Sequence, residues 1–371
     1  MALILALLFI VLLSVLVVNF SYDGQIEASF AANRGDDFQA YLSAKSAVAQ
    51  GMALLAEDML PENSDQEYDL TTLDTALDIW YTGHPFDPIN EGAFMRAAID
   101  DEYGKINLNA LLDYNESPPV EREMLVEALR EFFLDRAPDA DDPVDAILDW
   151  LDYGDEEDER PEGAENDFYE ASETPYPCKN AQMDTIEELL LIKGITPEIY
   201  WGDPELEQLP LTEYLTVHGD WQGRVNVNTA REAVLAAVVG AYRGSGFDIA
   251  AGEDIYIRTH EEQPFTDVGE MSEYVQDNTA PNASQNQNTN QPQDQNQNAA
   301  PDTPTPAQRA FRLNSNVFRI RGDGLAGENM VRVEAYVWRT PLQESGVVPD
   351  FPEGTEPPVE PYRVLEWRVI R

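Results

Sequence analysis

The densest concentration of chemistry-bearing side chains lies between Asp139 and Asp167, where fourteen carboxylates accompany a single cation, Arg160. Crowding carboxylates costs repulsion unless a cation intervenes, and Ca²⁺ takes about six to eight oxygen ligands from flexible loops. A divalent-cation site is one reading of this stretch, and a solvated loop in an acidic protein is the other. The D-x-D-x-D-G spacing of an EF-hand is absent. Elsewhere the chemistry thins out. The adjacent pair Asp100/Asp101 could serve acid–base work in principle, but no Ser-His-Asp set, metal-binding histidine cluster or phosphate loop accompanies it. His84, His218 and His260 are far apart, and the lone Cys178 can form neither an intramolecular disulfide nor a redox pair. The expectation is a protein without catalysis of its own. A tethered metallohydrolase would require turnover that disappears on chelation.

Charge narrows the partners. Among 371 residues, 70 are acidic and 23 basic, a net charge of −47. A surface this negative repels phosphate backbones, whose binding rests on Lys and Arg displacing counterions, so nucleic acid is a poor partner. Divalent cations are a good one. Hydrophobic content of 43% nonetheless predicts that most of the chain folds, in two or three units.

The elements that must carry these residues begin with an anchor. Residues 1–18 are apolar except for Ser14, a run spanning roughly 27 Å as a helix, close to the hydrocarbon thickness of a bilayer. No basic n-region precedes the run and no small-x-small site directly follows it, which argues against a cleaved secretory signal. The first basic residue is Arg34, so nothing here sets orientation by flanking charge. Removal of a basic leader, with Met1 as the processed N-terminus, would account for this. From Asp36 to Leu60, apolar residues at Leu42, Val48, Met52, Leu55 and Met59 continue a helical spacing, with Gly24 and Gly35 as possible bends and Pro61 as a stop.

Strand patterns follow at 76–82 and 93–113, the second read as two strands joined around Asp101 to Gly104. From about 118 to 276 the period is helical. Residues 277–307 are Asn, Gln, Pro and Thr without apolar periodicity, as in a disordered loop. Alternating strands return at the C-terminus, where Gly322, Gly324 and Gly327 punctuate the first connection and Arg319, Arg321, Arg332 and Glu334 leave one face polar. Strands flanking a helical block predict an α+β protein: a long N-terminal helix packed on an antiparallel sheet, with an all-α domain inserted. The predicted division is 1–20 transmembrane helix, 21–60 its amphipathic continuation, 61–117 first part of the β domain, 118–276 helical insert, 277–307 loop, and 308–371 final strands.

In this order, MALILALL, DEYGKINLNALL, ILDWLDYGDEEDERPEGAENDFY, TIEELLLIKGITPEIY and GRVNVNTAREAVLAAV resemble minor pseudopilin K of type II secretion systems over essentially the whole chain. The resemblance implies a pilin-like fold and a place at the tip of a periplasmic pseudopilus, with I- and J-type minor pseudopilins as partners. Contacts with the H type and the major pseudopilin would follow, along with a role in initiating the fibre that exports folded proteins across the outer membrane. It also implies a single-pass inner-membrane protein with a periplasmic domain and a methylated N-terminus. Most pilin-like subunits carry Glu at the fifth mature position; here that residue is Leu5, as the K-type resemblance implies for a subunit with no neighbour above it. K-type proteins bind calcium in the helical domain, which makes Asp149, Asp152, Asp155, Glu165 and Asp167, all within the matching motif, the candidate ligands.

The segments Asp184 to Trp201 and Val225 to Ala241 resemble helix-hairpin-helix units, with VNVNTA capping the second helix through Asn228 or Thr229. In a DNA-uptake receptor such hairpins would offer amides and lysines to phosphate. Here Lys193 and Gly194 are the one suggestive pair, amid Glu187, Glu188, Glu198, Glu205 and Glu207, so the hairpins are read as packing units.

Overall fold

The protein was analysed as a computed structural model that describes residues 2–59, 73–81, 85–90, 92–138, 140–154, 159–206, 208–277, 306–340 and 362–370. Met1, His84, Asp139, Asp155 and the 278–305 stretch lie outside the described residues.

Helix α1 (Ala2–Asp58) is continuous. Gly24 and Gly35 do not interrupt it, because a residue without Cβ lowers helix stability by only about 1 kcal/mol and the flanking residues are good helix formers. Its apolar first half is bare: Leu3, Ile10 and Val18 are each more than half exposed. Ser14, the polar residue of that half, donates its hydroxyl to the Ile10 carbonyl at 2.8 Å, so no hydrogen-bonding group is stranded there.

The second half of α1 lies on a five-stranded antiparallel sheet of β1 (Asp87–Asn90), β2 (Ala93–Asp101), β3 (Val317–Ala326), β4 (Asn329–Arg339) and β5 (Tyr362–Ile370), in that spatial order. The helix face buried there is made of small residues, Ala40, Ser43, Ala44, Ala47 and Gly51 with Val48 and Leu55, whereas Leu42 stays exposed. Gly322 and Gly324 are not turn residues. They lie inside β3, where an added Cβ would come within 2.2 Å of the Ala44 carbonyl and 2.0 Å of the Ala40 carbonyl. Small residues on both sides let helix and strand touch backbone to backbone. Gly327, with φ +57°, does supply the β3–β4 turn.

Two expected strands are absent. Residues 76–81 form turns, because the Asp78 carboxylate accepts the Thr75 amide at 2.7 Å and its hydroxyl at 2.9 Å, a local alternative to strand pairing. Beyond β2 the chain folds into 3₁₀ turns at Glu102–Gly104 and Leu108–Ala110, capped by the side chains of Asp101 and Asn107. Between them only Ile106–Asn107 pairs, in parallel, with Leu215–Thr216.

β2 and β3 are hydrogen-bonded neighbours, yet residues 102–316 run between them. That excursion builds the helical block: α2 (Glu123–Arg136), α3 (Val144–Leu151), α4 (Asn166–Glu170), α5 (Pro197–Trp201), α6 (Glu232–Arg243), α7 (Ile249–Ile257), α8 (Val268–Asp277) and α9 (Pro306–Ala310). It has its own core, which includes Leu129, Phe133, Ile147, Leu235 and Phe265, separate from the core between α1 and the sheet. The fold is therefore α+β, a long helix on an antiparallel sheet with a helical region joined to it.

Candidate functional site

The acidic stretch begins on α3. Asp149 is fully buried, and its carboxylate accepts the Ala164 amide at 2.9 Å and an Arg160 guanidinium N–H at 2.6 Å. The same guanidinium nitrogen reaches Asp152 at 2.6 Å, while Arg160 Nη2 pairs with Glu121 at 2.9 Å. Burial raises the Asp149 carboxyl against the pull of Arg160. Gly163 is obligatory: a Cβ there would stand 1.7 Å from Asp149 Oδ2. Glu165, also buried, is the N-cap residue of α4, and Asp167 is exposed in the first turn of that helix. Arg160 thus joins Asp149 and Asp152, while Glu165 is buried at the start of α4 and Asp167 is left at the surface.

Neighbouring groups are committed to structure. Cys178 is buried with its Sγ 3.7 Å from the Asp149 carbonyl, and burial pushes its thiol up to about 12. Lys193, the cation that a phosphate-binding hairpin would present, donates instead to the Glu162 and Gly163 carbonyls at 3.2 and 2.8 Å. The VNVNTA phrase does not cap α6, whose N-cap residue is Arg231, without a side-chain cap. Asn228 instead clasps Phe265, donating to its carbonyl and accepting its amide, each at 2.9 Å. Thr229 donates to Asp101 at 2.5 Å.

Sequence reasoning missed two polar regions between the sheet and the helical block. In the first, the polar sheet face is not solvated but buried. Arg319 on β3 pairs with Asp100 of β2 at 3.1 Å and Glu213 at 2.7 Å. Arg321 pairs with Asp100 at 2.9 Å, and Arg231 also binds Glu213. Asp100 is thus an ion-pair partner rather than an acid–base group. The second lies at the end of α1. Asp58 accepts the Trp80 indole N–H at 3.2 Å, Arg339 binds Asp74, and oxygens of Asp58, Asp74 and Asp78 lie within 4.8 Å of one another. Behind them Asp101 accepts from Ser315 at 2.6 Å and Asn226 at 3.1 Å. His260, with burial pushing it down to about 4, meets the Tyr81 hydroxyl nearby at 3.1 Å. The arginines at 319 and 321 were the available signal, but their partners depend on a strand pairing formed across residues 102–316.

Residues 104–201 match the family model for type II secretion system (T2SS), protein K. That segment contains the acidic loop, its Arg160 clamp and the 3₁₀ turns after β2. Over those residues the chain is similar to the type II secretion protein K family. In overall fold it is similar to a chain of the GspK-GspI-GspJ complex from enterotoxigenic Escherichia coli, with a TM-score of 0.60 at 15% identity, covering 92% of this chain and 99% of that one. No curated protein sequence matches. At that identity the likeness is one of fold, a long N-terminal helix on an antiparallel sheet with a helical region joined to it. Among the described residues, α1 is the one helix long and apolar enough to cross a membrane.

Proposed function

We propose that the chain is the tip subunit of a type II secretion pseudopilus. There it joins I- and J-type minor pseudopilins, and through them the H type and the major pseudopilin, to initiate the fibre. The observation that carries this reading is where the helical block sits. It closes on the end of α1 remote from the apolar half, where Tyr81 meets His260 and Asn226 donates to the Asp74 carbonyl at 3.0 Å. In a fibre of stacked N-terminal helices, a block over that end leaves no place for a subunit above, while the bare apolar half can pack below. Leu5 agrees, since a carboxylate at that position needs a neighbour to neutralise it.

A lateral partner surface is also available. β5 is an edge strand, and Val364, Leu365, Trp367, Val369 and Ile370 on it are each at least a third exposed, an apolar row that an isolated soluble subunit avoids. The similar solved chain comes from a complex with GspI and GspJ, and partners of those types fit this surface. The globular part is periplasmic in this reading. Immunogold labelling of the chain on sheared pseudopili tests the tip assignment. One label at one fibre end is expected, and labels along the shaft would overturn it.

The acidic loop fits calcium by its donor set. It offers oxygen ligands, and burial keeps its Asp149 carboxyl costly to ionise even beside Arg160. Asp149, Asp152 and Glu165 would hold the ion, with Asp155 and Asp167 completing the set. When bound, calcium neutralises the loop, and Arg160 supplies part of that charge within the chain. Calorimetric titration should show calcium binding that is lost in an Asp152→Ala/Asp155→Ala variant. An unchanged isotherm would remove these ligands from the proposal.

A further inference from the structure

A cleft of about 1340 Å³ opens between the start of α2, the end of α6, the start of α8 and the 308–314 segment. Four arginines line it, Arg122, Arg224, Arg309 and Arg312, against two lining carboxylates, Asp113 and Glu123. In a chain with 70 acidic and 23 basic residues, this is a local inversion of charge.

Three of the arginines are held in place from behind. Arg312 and Arg224 share the fully buried Asp220 carboxylate at 2.9 and 2.6 Å, and Arg312 also lies 4.4 Å above the Tyr103 ring. Arg122 donates to the Ala110 and Leu112 carbonyls at 2.8 and 3.0 Å. Such anchoring costs the ligand little, because the guanidinium planes are ordered before it arrives. Arg309, exposed on α9, pairs with no carboxylate among the described residues. Among the described residues, four guanidiniums face three carboxylates once Asp220 is counted. The first turn of α2 opens into the same cavity and adds the positive end of its dipole. Trp221, 42% exposed, and the buried Phe311 give the cavity an aromatic wall.

From this geometry we infer that the cleft binds an acidic peptide segment of another protein, its carboxylates on the arginines and an aromatic or aliphatic side chain against Trp221. The volume exceeds the roughly 300–1,000 Å³ of small-molecule pockets, and guanidinium forks match carboxylates two bonds at a time. A long polyphosphate is disfavoured, because the length that leaves the cleft lies along the surface of a chain at −47. A short acidic segment inside the cleft feels the local charge instead. The inference does not depend on the tip assignment, since the cleft can be assayed on the isolated chain.

The probe is a fluorescein-labelled octapeptide of glutamates with one central phenylalanine, titrated by anisotropy against the full chain in detergent. Saturable binding that weakens with salt is expected. Arg309→Glu, on an exposed residue whose change should leave the melting temperature unaltered, should weaken it by at least about tenfold, the loss of a charge-assisted pair plus added repulsion. Trp221→Ala should weaken it a few-fold. Failure of the wild type to bind, or equal binding by Arg309→Glu, would overturn the proposal. So would tighter binding of an oligothymidine of equal charge, which would make the ligand a phosphate polymer. None of these outcomes bears on where the chain sits in a fibre.

Discussion

Two buried polar regions tie the helical block to the sheet, and their charge balance differs. At the seam, Arg319 and Arg321 meet Asp100 and Glu213, with Lys105 on Glu102 and Arg231 on Glu213 close by. At the node, Arg339 is the one arginine bonded to Asp58 and Asp74, with Asp78 and Asp101 adjoining. The consequences for protonation are opposite. Burial alone would raise Glu213, but Arg319, Lys105 and Arg321 overcome it and hold the group at about 2, and Asp100 is likewise lowered. At the node burial prevails, aided by neighbouring carboxylates. Asp58 rises to about 7, Asp78 to about 8 and Asp101 to about 6. A cation for every anion makes a pH-tolerant joint; a surplus of anions makes one that holds protons.

The sharpest way to break the seam is Arg319→Met. It removes the cation that Asp100 and Glu213 share, leaving Asp100 with Arg321 and Glu213 with Arg231, in a setting where breaking a buried ion pair costs up to about 3–5 kcal/mol. Urea unfolding of the full chain at neutral pH should show a loss of that size. A loss under about 1 kcal/mol would mean that the seam is hydrated like a surface pair.

Arg339→Met applies the same operation to the node, with a different expectation. Its carboxylates can take up protons when the cation is gone, so the cost should depend on pH: about 2–4 kcal/mol near pH 8 and roughly half that near pH 5. A cost independent of pH would erase the distinction between the two regions.

Glu213→Gln tests the acid limb. A carboxyl held at about 2 in the folded state and near 4.5 when unfolded contributes stability above the higher value, lost as pH falls toward the lower. The variant should lose about 2 kcal/mol at neutral pH, after discounting for coupling to Arg319. It should then converge on the parent as pH falls to about 2. Parallel profiles across that range would show that Glu213 is not the titrating group.

How far this contrast could be read from the chain alone follows from where the partners lie. The anchor was legible because its signal is local, eighteen apolar positions in a row, and the last strands because alternation is local too. The buried face of α1 was not, because alanines and glycines score as neutral until Gly322 and Gly324 are seen against Ala40 and Ala44. The turns at 76–81 were hidden because the ring of Trp80 and its neighbours imitates a strand, while Asp78 binding Thr75 decides the backbone. In the acidic loop the composition advertised the carboxylates but not the role of Arg160, which gathers two of them together with Glu121. The arginine cleft draws on residues from 122 to 312, a juxtaposition that no window of sequence contains.

The smallest expected effect sharpens the comparison most directly. Asp78 at the node is raised to about 8, first by burial and then by the charge of Asp58, whereas unfolded it titrates near 3.8. The folded state therefore holds a proton that the unfolded state has released, and stability must fall as pH rises from about 4 to about 8. Asp78→Asn keeps the shape and an acceptor oxygen for Thr75, and removes the ionisation. The variant should match the parent near pH 5 and exceed it by about 1 kcal/mol near pH 8, with a flatter profile between. The value is set low because the group is coupled to Asp58, whose own carboxyl relaxes once its neighbour is neutral. If the variant is less stable than the parent at the higher pH, the Asp78 carboxylate is worth more to Thr75 as an ion than its burial costs. The node would then be a second seam.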